Sequence, residues 1–215
     1  MYKNTLKELS VSKNVENAIE FATKMHQGQE RLDGTPYIRH PLNVAKYVLS
    51  YKKSDNLETL LISACLHDVI EDTQATYYDV VRLFGPQVAS IVLELTNDED
   101  LKREVGKTKY LEIKMKNMSS WALIIKLCDR LDNVSDLKSC SDSFRNKYIR
   151  ETIEILEYLL ERRKLSKTHL SIIKAILEVL DKTITLYNQN QYQIHLLDID
   201  NKIRKLIPKE NTSIN

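Results

Sequence analysis

"LETLLISACLHDVIEDT", residues 57–73, decides how this chain is read. Its first half is apolar with helical continuity, the pattern of a buried helix. Its second half sets one imidazole and three carboxylates within six residues: His67, Asp68, Glu71 and Asp72. On a continuous helix, residues four apart lie about 40° from each other around the axis. His67 and Glu71 then share one face, and Asp68 and Asp72 the adjacent one. Burying such charges without a counter-ion costs several kcal/mol per unpaired ion. A divalent cation removes that cost. Imidazole nitrogen combined with carboxylate oxygen suits Mn, Fe, Zn or Ni better than Ca.

The rest of the chain fits an all-α frame. Its 215 residues hold only four Gly and four Pro, so long segments run without a breaker. Helical spacing is expected over 14–27, from His40 to about residue 53, over 56–72, over 107–118 and over 119–137. Residues 76–97 read as two short helices split at Gly85-Pro86. The charged stretch 98–106 reads as a loop, and three further helices are expected between Asp142 and about Ile207. Pro41 falls just inside a helix start, where a missing N–H costs little. Trp121, Ile124, Ile125, Cys128 and Leu131 form one apolar stripe.

Composition narrows the function classes. Lys+Arg is 32 and Asp+Glu 30, a net charge of +2, which argues against a protein devoted to the nucleic-acid backbone. A small phosphorylated ligand needs only a few local cations. The three cysteines contain no Cys-x-x-Cys pair, so a thiolate zinc site is not expected. Cys65 and Cys128 read as small core residues. The N-terminal stretch has no apolar segment of signal type, and no run approaches the ~18 apolar residues of a membrane span. The expectation is a cytoplasmic protein without membrane attachment.

Further candidates can complete a metal site. "YIRHP" offers His40 at a helix mouth, and "KLCDRLDN" offers Asp129, Asp132 and Asn133. Asp129 borders the apolar stripe, where an aspartate needs a partner; a salt bridge to Lys126 or Arg130 is the plainer alternative. The order His…His-Asp…Asp resembles the HD-domain metal-dependent phosphohydrolases, a helical-bundle family. The blocks "HQGQERLDGTPYIRHPLNVA", "ACLHDVIEDT", "LFGPQVASIVLELTND" and "IIKLCDRLDNVSDL" resemble, in order, those of the RelA/SpoT hydrolase domain, whose enzymes degrade the alarmones ppGpp and pppGpp of the stringent response. The resemblance spans about residues 14–160.

The resemblance implies roles by position. His40, His67, Asp68 and Asp129 match the metal ligands, with Mn²⁺ the family metal. Glu71 and Asp72 match the catalytic carboxylate pair. Arg31 matches a residue near the substrate phosphates, and Asn133 a residue contacting the nucleoside. Leu32 departs from the family, which usually carries a second basic residue there. The implied organisation is a phosphohydrolase domain at 1–165 and a C-terminal helical extension at 166–215, packed on the domain or used in self-association. The implied reaction is hydrolysis of ppGpp or pppGpp to GDP or GTP plus pyrophosphate by a stand-alone small alarmone hydrolase. Action on ppApp, removal of the 2′-phosphate of NADPH, and a non-catalytic nucleotide-binding role are the alternatives. His26 is expected to pack or hydrogen-bond rather than ligate, and Lys107, Lys109, Lys114 and Lys116 to form mainly a solvated face.

Overall fold

The computed structural model describes Leu9 and residues 12–207. Most of the N-terminal stretch lies outside these residues, as does the end of the 166–215 extension. Among the described residues the architecture is all-α, with eleven α-helices, two short 3₁₀ turns and no strand beyond one isolated bridge between Glu30 and Pro36. The expected all-helical class holds. None of the described helices is long and apolar enough to cross a membrane.

α1 (Lys13–Met25) starts at Ser12, whose hydroxyl caps Val15 N, and turns Val15, Ala18, Ile19 and Ala22 inward. α2 (Arg39–Tyr51) carries His40 and Pro41 in its first turn. α3 (Leu57–Cys65) is buried from Leu60 onward. The helix expected over 56–72 is therefore two pieces. It stops at Leu66, and a single turn, α4 (Val69–Asp72), follows. Between them Val69 N bonds to Leu66 O at 3.0 Å, a tighter three-residue closure. The interruption falls on His67 and Asp68, so their directions are set by a turn rather than by the helical 100° step.

α5 (Tyr77–Leu95) bends at Gly85, whose φ of 84° and ψ of 164° are non-helical, and Pro86 restarts it; the expected split is present. The stretch 98–106, expected as a loop, is mostly helical: α6 spans Glu99–Val105. Asp98 caps Leu101 N, while Lys102–Glu99 and Arg103–Asp100 pair one turn apart. A dense charge run that lacks an apolar stripe can still be helical when caps and i,i+3 pairs supply the support. Gly106 then turns the chain into α7 (Lys107–Asn117).

α8 (Ser120–Ser135) is the central rod, with eleven of its sixteen residues buried. It packs most extensively against α2 and against α10 (Lys167–Leu186). α9 (Asp142–Arg162) lies on α7, and α11 (Gln193–Leu206) on α9 and α10. Cys65 and Cys128 are free thiols inside this core, as expected.

Candidate metal and nucleotide site

Three segments meet around Asp129, past the middle of α8. The first turn of α2 brings His40, the turn after α3 brings His67 and Asp68, and α8 brings Asp129. His40, His67 and Asp129 place ligand atoms within 4.8 Å of one another, all buried. Asp68 joins them: its Oδ2 lies 3.0 Å from His67 Nε2 and 3.5 Å from His40 Nε2. The structure thus gathers all four expected ligands, although no continuous helix aligns them.

The donor set fits a divalent cation. His67 Nδ1 donates to Ala64 O at 2.9 Å, which leaves Nε2 with its lone pair. That Nε2 is fully buried and makes no hydrogen bond; the Asp68 oxygen beside it is itself an acceptor. Buried acceptors facing one another are unfavourable unless a cation or proton lies between them. Two imidazoles with two carboxylates form the mixed N/O set of Mn, Fe or Zn sites.

The surrounding charges keep the carboxylates ionised. Burial opposes ionisation of Asp129, but Lys126 and His40 hold its pKa well below the usual range. Lys126 Nζ sits 2.8 Å from Asp129 Oδ2, while Oδ1 faces His40 Nε2 at 3.2 Å. The plainer reading of Asp129 as a Lys126 partner is met by one oxygen, while the other faces the histidine. Arg130 turns away to buried Glu151, 2.8 Å distant. Asp68 is likewise depressed, by His67 and His40 against its burial. His40 is desolvated, yet hydrogen bonds to Asp129 and Asp132 raise it to about 9.

Glu71 and Asp72 flank this centre in different environments. Glu71 is anchored, accepting from Asn97 N and Nδ2, each at 2.9 Å. Asp72 is open to solvent, and its Oδ2 accepts from the Tyr37 hydroxyl at 3.1 Å. Desolvation and the neighbouring Asp68 charge raise its pKa. The Tyr37 hydroxyl also reaches Asp68 Oδ2 at 2.7 Å, so it joins Asp72 to the His–Asp cluster.

Arg31 reaches the same place through the Glu30–Pro36 turn, closed by Arg31 N to Thr35 O at 2.8 Å. Its guanidinium bonds Asn133 Oδ1 at 3.2 Å and Asp136 Oδ2 at 2.8 Å. Asn133 in turn donates to Asp129 Oδ1 at 2.6 Å. The cluster opens into a cavity of about 240 Å³ that also presents Lys102, Lys107, Lys126 and Arg130. An adjoining cavity of about 220 Å³, lined by Leu32, Leu137, Cys140 and Phe144, shares Arg31, Tyr37, Asn133 and Tyr148 with it. Leu32 stands 78 % exposed on its rim.

Other sequence expectations resolve individually. His26 bonds Gln29 at 2.7 Å and packs on Tyr37, as expected of a non-ligand. Of the lysine run, Lys107 enters the polar cavity and pairs with Glu151, Lys109 pairs with Glu112, and Lys114 is spent on Leu95 O, Thr96 O and Asn97. Tyr37, Lys126 and Asn97 were not singled out as site residues, and Asp132 was offered beside Asp129 without a role of its own. Lys126 precedes Asp129 by one turn of α8, and Tyr37 precedes His40 by three residues in the turn that leads into α2, which is the sequence signal they leave.

An HD-domain family model matches residues 18–164, and the chain belongs to that family. Within it the chain is similar to two named hydrolases. It is 41 % identical over 122 residues to the guanosine-3′,5′-bis(diphosphate) 3′-pyrophosphohydrolase MESH1 of Drosophila melanogaster, covering 56 % of this chain and 67 % of that protein. It is 39 % identical over 155 residues to the bifunctional (p)ppGpp synthase/hydrolase SpoT of Escherichia coli, covering 70 % of this chain but 22 % of SpoT. A solved structure of a metazoan SpoT ortholog that hydrolyses ppGpp superposes with a TM-score of 0.66 at 29 % identity, covering 78 % of this chain and 95 % of the other.

Proposed function

We propose that the protein is a divalent-metal-dependent 3′-pyrophosphohydrolase of guanosine alarmones, converting ppGpp or pppGpp and water to GDP or GTP and pyrophosphate. The observation that carries this reading is the pair of adjoining cavities. One is polar and holds the ligand cluster, two flanking carboxylates and several cations; the other is largely apolar and suits a nucleoside. The names of MESH1 and SpoT agree with it.

His40, His67, Asp68 and Asp129 are assigned as the ligands of one ion, taken to be Mn²⁺. When bound, that ion offsets phosphoryl charge and acidifies a water molecule. In the reaction water adds to the phosphorus next to the ribose, the bond to the 3′ oxygen breaks, and that oxygen leaves with a proton. Glu71, fixed by Asn97, orients the water. Asp72, open to solvent and raised in pKa, exchanges the proton. Arg31, Lys102 and Lys107 neutralise phosphate oxygens, and Asn133 contacts the nucleoside. Residues 1–165 are taken as the hydrolase domain and 166–215 as the extension, whose described helices pack upon it, with Ile194 and Leu197 exposed on α11 as the surface for any self-association. A cytoplasmic location accords with the three free thiols.

The test is a product assay with Mn²⁺ on ppGpp, pppGpp, ppApp and NADPH. The expected result is pyrophosphate released from the guanine alarmones and loss of turnover on chelation. Release of single phosphates from NADPH in preference would replace this reading with the 2′-phosphatase one, for which Leu32 leaves room. No turnover on any substrate would leave a binding protein.

A further inference from the structure

Asp132 carries the shortest polar contact to His40, yet it touches none of the cluster's other ligands. The residue is 2 % exposed. Oδ2 lies 2.6 Å from His40 Nδ1 and 3.8 Å from the Arg31 guanidinium, and Oδ1 accepts from Asn43 Nδ2 at 3.0 Å. A carboxylate buried this deeply persists only with its charge and lone pairs met. Asp132 follows Asp129 by three residues on α8, so the two stand one turn apart on one face. Asp129 meets His40 at Nε2, and Asp132 meets it at Nδ1.

We propose that Asp132 is a positioning residue: it holds His40 as the Nδ1–H tautomer and so presents the bare Nε2 to the cation. The competition is plain from the distances. On the Nε2 side stand two acceptors, Asp129 Oδ1 at 3.2 Å and Asp68 Oδ2 at 3.5 Å. On the Nδ1 side stands Asp132 at 2.6 Å. Without it, the imidazole proton moves to Nε2, the atom that must be bare to bind metal. Buried carboxylates behind a ligating histidine fix ring orientation and strengthen the donor nitrogen, and removing such a partner costs about 10–100-fold in metal affinity. The hydrogen bond from Asn43 fixes Asp132 in turn, with the Arg31 charge 3.8 Å away, so the residue assigned to the phosphates and the histidine assigned to the metal stand beside one carboxylate. This inference rests on the metal-site reading above.

The experiment uses full-length protein stripped of metal. Mn²⁺ affinity is measured by calorimetry for wild type, Asp132→Ala and Asp132→Asn, with thermal melting of each metal-free protein as the fold control. ¹⁵N-histidine NMR of the metal-free protein at a pH above the titration of His40 reports its tautomer. Asp132→Ala is expected to bind Mn²⁺ about 10–100-fold more weakly and to carry the His40 proton on Nε2. Asp132→Asn keeps an oxygen acceptor, with Asn43 turning its amide to match, and is expected to stay within about threefold of wild type with the Nδ1–H signal retained. Wild-type affinity in folded Asp132→Ala overturns the proposal, as does an Asp132→Asn protein that loses as much as Ala. If Asp132→Ala does not fold, Asp132→Asn decides: an Nε2–H tautomer with unchanged Mn²⁺ affinity refutes the role, and retained Nδ1–H with near-wild-type affinity supports it. Failure of wild type to bind Mn²⁺ overturns the metal-site reading and, with it, this proposal; the loss then shows in wild type rather than in the variants alone.

Discussion

Replacing Asp72 by Asn separates the work assigned to this carboxylate from the support it gives the fold. The side chain ends α4, is open to solvent, and makes one side-chain hydrogen bond, from Tyr37 at 3.1 Å. An Asn oxygen still accepts that bond, and the charge assistance lost is offset by relief from the Asp68 charge that raises the Asp72 pKa. The second tie at this residue, Gln29 Nε2 to Asp72 O at 2.7 Å, uses the backbone and is untouched. Stability should therefore change by no more than about 0.5 kcal/mol, as for an ordinary surface substitution. Turnover is another matter. A positioned proton-transfer group contributes about 10²–10⁴-fold, which is about 2.7–5.4 kcal/mol of barrier at 1.36 kcal/mol per decade. The substitution also removes a carboxylate raised in pKa by desolvation and Asp68, so the limb it sets in the pH–rate profile should vanish. The assay is steady-state pyrophosphate release at saturating Mn²⁺ across pH, with metal affinity measured in parallel. A kcat within threefold of wild type, on protein that binds Mn²⁺ normally, would refute the proton-exchange role.

Tyr37→Phe removes a donor to Asp72 and Asp68; because that hydrogen bond favours the charged carboxylate, the pKa of Asp72 should rise further and its limb of the pH–rate profile move to higher pH, with kcat falling about tenfold or more for a lost bond to a charged group of about 1.5–3 kcal/mol. An unmoved pH profile counts against the Tyr37 assignment. Glu151 is buried against Arg130 and Lys107, at 2.8 and 3.1 Å, and Glu151→Ala should cost about 3–5 kcal/mol in urea unfolding by leaving Arg130 uncompensated. Arg130 and Lys107 outweigh desolvation and depress the Glu151 pKa, so its contribution is complete above the ordinary value of 4.5 and is lost as pH falls through the depressed one; Glu151→Gln should flatten that acid loss in melts run below pH 5. Gly85→Ala meets no atom within 4 Å, so its expected cost of about 1–3 kcal/mol is purely that of a φ of 84° with extended ψ, and an unchanged denaturation midpoint would show that the kink relaxes.

The sequence carried most of the helices because their stripes are local: Val15, Ala18, Ile19 and Ala22 on α1, or Ile124, Ile125, Cys128 and Leu131 on α8, declare a buried face by spacing alone. It misread 98–106, since α6 buries nothing and is held by an aspartate cap and i,i+3 pairs that leave no apolar period. It also ran one helix through His67. The stop at Leu66 is flagged by no glycine or proline; it arises where the imidazole bonds back to Ala64 O and the ladder tightens. The residues assigned as ligands were legible as residue types in a known order. Their partners were less so. Asp132 lies 92 positions from His40 and Asn97 lies 26 from Glu71, and such pairings form only when α2, α4, α5 and α8 dock. Asp132 was noticed as a carboxylate beside Asp129, but its role depends on which imidazole nitrogen it meets, a fact of three dimensions.

α8 is covered on one side by α2 and on another by α10, which lies past residue 164, where the family match ends. The stretch recognisable as an HD domain and the stretch that must fold together are therefore of different lengths. A fragment trimmed to the recognisable span would keep every assigned ligand and bare the flank of the rod that aims Asp129 and Asp132. Leu170, Ile173, Ile176 and Leu180 of α10 are then the site's foundations. Drift in their volume would be felt where Asp129 and Asp132 point, in a helix that no inventory of functional groups would think to include.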